Sequence, residues 1–157
     1  KRVDVVIAAF AAIGDEWPTA KLLIGGVGPD EDRLRKMAAG LGVAERTHFL
    51  GLVPDEEVMD LYAAADVFAF PSWTSSGITP YEALAAGTQV IWTTEADEPV
   101  LGEEAVITAD PTPNAFTAAL RKALTRGRRS RRVDLTRFTW DAYFGTVWST
   151  IQQAAGL

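Results

Sequence analysis

Apolar residues along the chain alternate between two rhythms. Short runs rich in β-branched and aromatic residues, "KLLIGG" (21–26), "THFLG" (47–51), "VFAFP" (67–71), "QVIWT" (89–93) and "AVIT" (105–108), read as strands. Between them Leu, Ala, Val and Met recur at three- and four-residue spacing, which predicts helices over about 3–13, 30–41, 55–65, 80–87 and 114–125. A final amphipathic stretch predicts a closing helix over about 139–155, with Trp140 and Trp148 on one face and directed to the core. Connections are short, and "GLVPDEE" places Asp55 as a cap after Pro54.

This alternation predicts an α/β fold: a Rossmann-like three-layer α/β/α domain with a mostly parallel sheet, occupying 1–157 as one unit. One irregularity stands out. The chain opens on a helical pattern, "KRVDVVIAAFAAI", whereas a βαβ series begins with the strand that feeds its first helix. In the doubly wound order 3-2-1-4-5-6 that strand is central. Without it, "KLLIGG" and "VFAFP" would flank an unpaired gap with backbone groups open on both sides. The sequence therefore reads as a piece of a longer polypeptide whose other residues supply the strand.

Composition narrows the classes of function. Of the 157 residues, 48% are apolar and 23% charged, ordinary for a globular protein with a proper core. The formal charge of −6 argues against a nucleic-acid partner, because displacing counterions from phosphates needs a cationic face. With no cysteine, disulfides and thiolate metal sites are excluded; a reducing cytosol is the default location.

The stretch "FPSWTSSGITPYEALAAG" (70–87) carries the candidate chemistry. It leaves a strand at its carboxyl end, where ligands of such sheets bind. Gly77 permits positive φ or close approach to the backbone, and "TPYE" places Thr79 as N-cap, Pro80 at N1 and Glu82 at N3. Two readings stay open on spacing alone. The helix start can direct free N–H groups at a phosphate. Equally, Thr-x-x-Glu is a capping box that serves only the helix, and local spacing favours it.

The order of segments tips the balance. "KLLIGGVGPD", the "FLG" strand, "ADVFAFPS" and "EALAAG" together resemble, over about 1–125, the nucleotide-sugar-binding C-terminal half of retaining GT-B glycosyltransferases, the "glycosyl transferases group 1" family. The resemblance implies a hexosyl-type transferase, cut to its donor-binding domain, with a nucleoside diphosphate sugar as substrate and no cofactor. The N-terminal acceptor domain of the same parent chain would be its partner, and the isolated domain would bind nucleotide without turnover.

Site residues follow by position. Where the family has K-G-V-D this chain has "KRVD", so Lys1 matches the lysine on the donor diphosphate. Glu82 matches the second glutamate of the E-x7-E motif, which binds the ribose. Gly77, Ile78 and Thr79 match the backbone near the phosphates, Leu52 and Val53 lie where the base is gripped, and Gly26 and Gly28 fall near the donor cleft. One position departs: Thr74 stands where the family has its first glutamate, which touches the transferred sugar. A neutral hydroxyl there removes a charge-assisted contact. This opens a rival reading, a non-catalytic GT-B-derived module that binds a nucleotide or a protein.

Other features have plainer explanations. "GGVGPD" lacks the Lys-Ser/Thr ending of a P-loop. The acidic clusters "DEDR", "DEE" and "EADE" sit beside helix starts, where carboxylates suit the dipole, so no metal is expected. His48, the sole histidine, lies in a strand and reads as structural. The run "RKALTRGRRSRR" (121–132) holds seven basic residues in twelve; a solvated loop is the simpler reading, and peripheral contact with an acidic membrane surface the functional one.

Overall fold

The computed structural model describes residues 1–72, 78–95, 106–127, 133, 135 and 140–155. Among these residues six helices and five strands follow in the order α1 (Val3–Ala12), β1 (Leu22–Gly25), α2 (Glu31–Gly40), β2 (Thr47–Gly51), α3 (Asp55–Ala64), β3 (Val67–Phe70), α4 (Thr79–Ala85), β4 (Gln89–Thr93), β5 (Val106–Ala109), α5 (Pro113–Arg126) and α6 (Trp140–Ala155), with a 3-10 turn at Ala44–Arg46. Every strand and helix read from periodicity is present, with ends moved by a residue or two.

All strand pairings are parallel, and they form two sheets rather than one: β1 with β2, and β3-β4-β5. These are the 3-2 and 4-5-6 portions of a doubly wound order. Among the described residues β1 and β3 are not hydrogen-bonded to each other.

Two cores lie on opposite faces of the larger sheet. The first gathers Val5, Val6, Ile7, Ala9 and Phe10 of α1, Leu34 and Ala38 of α2, Ile91 and Ile107, and Phe116, Ala119, Leu120 and Ala123 of α5; Leu22, Ile24 and Phe49 join it from β1 and β2. The second gathers Phe70, Val90, Trp92 and Val106 against Ala83 and Leu84 of α4, with Tyr62 of α3 at its margin. β4 is buried along its whole length, with Ile91 facing one core and Val90 and Trp92 the other. Period-two alternation under helices on both sides is what a near-continuous apolar parallel strand implies.

Polar residues at the strand ends are satisfied locally. Thr47 Oγ1 donates to the Val43 carbonyl at 2.9 Å, Gln89 Nε2 to the Gly127 carbonyl at 3.1 Å, and Thr88 Oγ1 to the Tyr62 carbonyl. Arg121 Nη2 lies 2.7 Å from Glu16 and 3.4 Å from the Ala12 carbonyl, tying α5 to the end of α1. Arg46 donates to the Trp17 carbonyl at 3.1 Å and stacks over Phe10, 5.1 Å from the ring centre.

Two local expectations, on Trp148 and Asp55, are corrected, and the face of His48, which the sequence leaves open, is settled. Trp148 is 61% exposed, as is Phe144 one turn before it, so the Trp148 face of α6 is not core. Amphipathic spacing says that one face is apolar but not what covers it. Asp55 is the first helical residue of α3 rather than its cap; Pro54, at φ −59° and ψ 142°, holds the extended N-cap conformation. His48 sits exposed on the solvent side of β2.

Candidate functional site

α4 starts one residue earlier than "TPYE" predicts. Ile78 is the N-cap residue, already helical at φ −68° and ψ −27°, and its carbonyl accepts from Tyr81 N at 3.0 Å and Glu82 N at 3.1 Å. Thr79 is therefore the first helical residue and not the cap. Pro80 falls second and Glu82 fourth, and no side-chain cap bond closes the start. A capping box requires an extended cap residue whose hydroxyl turns back over the first turn, so the helical Ile78 excludes it. Thr79 is thereby removed as the cap of a Thr79–Glu82 box.

Glu82 acts electrostatically on Tyr62 of α3. Burial first, and the Glu82 carboxylate second, hold the Tyr62 phenol above its ordinary pKa. Tyr62 packs edge-on against Phe68, ring centres 5.2 Å apart, and Tyr81 packs edge-on against Trp92 at 5.3 Å, so α4 is seated on an aromatic bed. Within that bed the Trp92 indole N–H is buried without an acceptor among the described residues.

The start of α1 lies at the same edge of the sheet. Lys1 is exposed, and Arg2 forms an ion pair with Glu95, two residues beyond the carboxyl end of β4, with Nη1 2.9 Å from Oε2. Arg2 adopts φ 51° and ψ 42°, the one left-handed non-glycine residue among those described. It occupies the position where the resemblance has glycine, which takes this conformation freely. Glu95 is firmly presented: its N–H donates to Thr93 Oγ1 at 3.2 Å, while Thr94 donates N–H to the Ala109 carbonyl at 3.0 Å and its hydroxyl to Asp110 at 2.6 Å. Asp30, by hydrogen bond and charge, and more weakly Asp4 raise the Arg33 pKa. Asp4 lies in the first turn of α1 and Arg33 in the first turn of α2.

Gly26, Gly28, Leu52 and Val53 also gather at carboxyl ends. Gly26, at φ 108°, donates to the Gly51 carbonyl at 2.7 Å, clipping the turn after β1 to the turn after β2. A Cβ on Gly25 would lie 3.3 Å from Val53 Cγ2, so the two turns touch. Leu52 is 81% exposed beside them, and Gly28 faces open space.

Thr74, Gly77 and Trp73 lie outside the described residues, as do 128–132 of the basic run. Sequence reasoning missed Arg2 and Glu95. The departure of "KRVD" from K-G-V-D was the available signal for the first; nothing local marked the second. Among the described residues no three His, Asp or Glu cluster as a metal site, and no helix is long and apolar enough to cross a membrane.

Comparison with known proteins decides the family. The family model "Glycosyl transferases group 1" matches residues 1–137. The chain belongs to the glycosyl transferases group 1 family. A GDP-mannose-dependent alpha-(1-6)-phosphatidylinositol dimannoside mannosyltransferase of Mycobacterium tuberculosis is 33% identical over 96% of this chain and 40% of its own. The chain thus spans about two fifths of that relative's length. Among solved structures, WaaG, a glycosyltransferase involved in lipopolysaccharide biosynthesis, superposes with a TM-score of 0.64 at 26% identity, over 78% of this chain and 34% of its own. Anabaena HepE in complex with UDP superposes with a TM-score of 0.66 at 21% identity, over 78% of this chain and 35% of its own, a likeness of fold. The architecture is that of GT-B glycosyltransferases, mixed α/β with parallel sheets.

Proposed function

We propose that this member of the glycosyl transferases group 1 family is the donor-binding half of a retaining glycosyltransferase, and that it holds a nucleoside diphosphate sugar along the carboxyl edge of the strands. One observation carries the reading: the Arg2–Glu95 ion pair, which brings the start of α1 to the end of β4, the edge from which β3 hands the chain on to α4. Lys1 would offset charge on the departing diphosphate, with backbone N–H groups from Gly77 to Thr79 as further donors. Glu82 would accept from the ribose hydroxyls, and Leu52 and Val53 would flank the base beside Gly26 and Gly28. A relative's dependence on GDP-mannose and a neighbour's complex with UDP support the ligand class.

No side chain is assigned as a nucleophile. The acceptor would enter against an N-terminal domain of the same parent chain. The isolated half would therefore bind nucleotide and transfer little. Calorimetry with UDP, GDP and ADP on a folded chain that includes the upstream strand tests this; absence of binding to all three would end the reading.

Thr74 favours a second reading, a non-catalytic module of the same fold. Transfer assays on the complete gene product discriminate: an active parent eliminates the module, and an inactive one revived by Thr74→Glu supports it. As to location, we place the parent in the cytoplasm at a membrane surface. Lys122 and Arg126 on α5 are exposed ahead of the basic residues to 132, whereas Arg121 is taken by Glu16. Co-sedimentation with anionic but not neutral vesicles is the expected result.

A further inference from the structure

We propose that Arg2 is a second cation of the donor site, held by Glu95 until a diphosphate arrives, so that the carboxylate and the diphosphate compete for one guanidinium. This deepens the reading of the carboxyl edge as a donor site and rests on it.

Three features support it. Arg2 follows Lys1 directly, so both cations open onto the same edge of the sheet, and its guanidinium offers the fork that suits phosphate oxygens. The left-handed backbone at Arg2 is disfavoured for any residue with a Cβ, so glycine would serve the turn better if the side chain did nothing. Its present partner is also of a kind that can be exchanged. Arg2 and Glu95 are 37% and 44% exposed, which leaves the pair screened by solvent and weak.

The carboxylate is the fixed member. Thr93, Thr94, Ala109 and Asp110 anchor the backbone that leads into Glu95, and in this proposal the Arg2 guanidinium is the group that turns. A diphosphate carries more charge than one carboxylate and can draw the guanidinium away. Because Glu95 competes for the same guanidinium, it weakens retention of the diphosphate, the spent nucleotide included. The pair thereby sets how tightly the diphosphate is retained.

A double-mutant cycle on the complete gene product tests this, with UDP, GDP and ADP as probes in calorimetry and melting curves to verify folding. Glu95→Gln should tighten binding of the preferred nucleotide by roughly two- to five-fold, the range of an exposed ion pair. Arg2→Gly should weaken it, and in the Arg2→Gly background the gain from Glu95→Gln should vanish. The gain should also shrink at high salt. If the wild type binds but Glu95→Gln changes nothing, or gains equally in both backgrounds, the competition is refuted and the donor reading stands. If no nucleotide binds the wild type, the donor reading falls and the competition with it.

Discussion

Phe116 of α5 and Trp148 of α6 are both large apolar residues at helical spacing, and the structure treats them oppositely. Phe116 is 0% exposed where α1, α5 and the larger sheet meet, while Trp148 is 61% exposed. Phe116→Ala removes a whole ring from a packed core, for which about 3–5 kcal/mol is the usual loss. At about 2–4 °C per kcal/mol for a chain of this size, the melting temperature should fall by roughly 6–20 °C. That is a large part of the ~5–15 kcal/mol that holds such domains together. Trp148→Ala gives up only partial burial and should stay below about 1 kcal/mol. Urea unfolding of both variants beside the wild type supplies the comparison. A loss at Trp148 equal to that at Phe116 would refute the placement of α6, and a loss under about 1 kcal/mol at Phe116 would refute the first core.

Other expectations follow from single residues. At Arg2 both Gly and Ala lose the ion pair, but only Gly relieves the left-handed backbone, so Arg2→Gly should be more stable than Arg2→Ala by about 0.5–1 kcal/mol by thermal melt; the reverse order would mean that Arg2 is not left-handed. Gly26→Ala meets no neighbour but strains φ 108°, so it should cost about 1–2 kcal/mol and weaken nucleotide binding. The folded state keeps the Tyr62 proton to higher pH than the unfolded chain does. Its contribution is present below pH about 10 and is lost as pH rises beyond that. Glu82→Gln removes the smaller of the two causes, so ultraviolet titration should show Tyr62 ionising earlier; an unmoved curve would separate Glu82 from Tyr62.

The architecture was legible in the sequence because it rests on period. Strand and helix spacing located the eleven main elements among the described residues. What escaped depended on contacts between distant segments. Whether Thr79 caps α4 turned on the dihedrals of Ile78, which spacing does not encode. The burial of Trp148 turned on what lies over α6. Arg2 and Glu95 are 93 positions apart in the chain, and only the fold shows that they meet at 2.9 Å.

Amide chemical-shift mapping with UDP and GDP tests the central claim most directly. The account predicts shifts clustered at Gly26, Gly28, Leu52, Val53, Ile78, Thr79, Glu82 and Glu95, with little change at Thr88, Gln89 and Gly127 at the opposite ends of the strands. Shifts confined to that opposite edge, or none at saturating nucleotide, would contradict it.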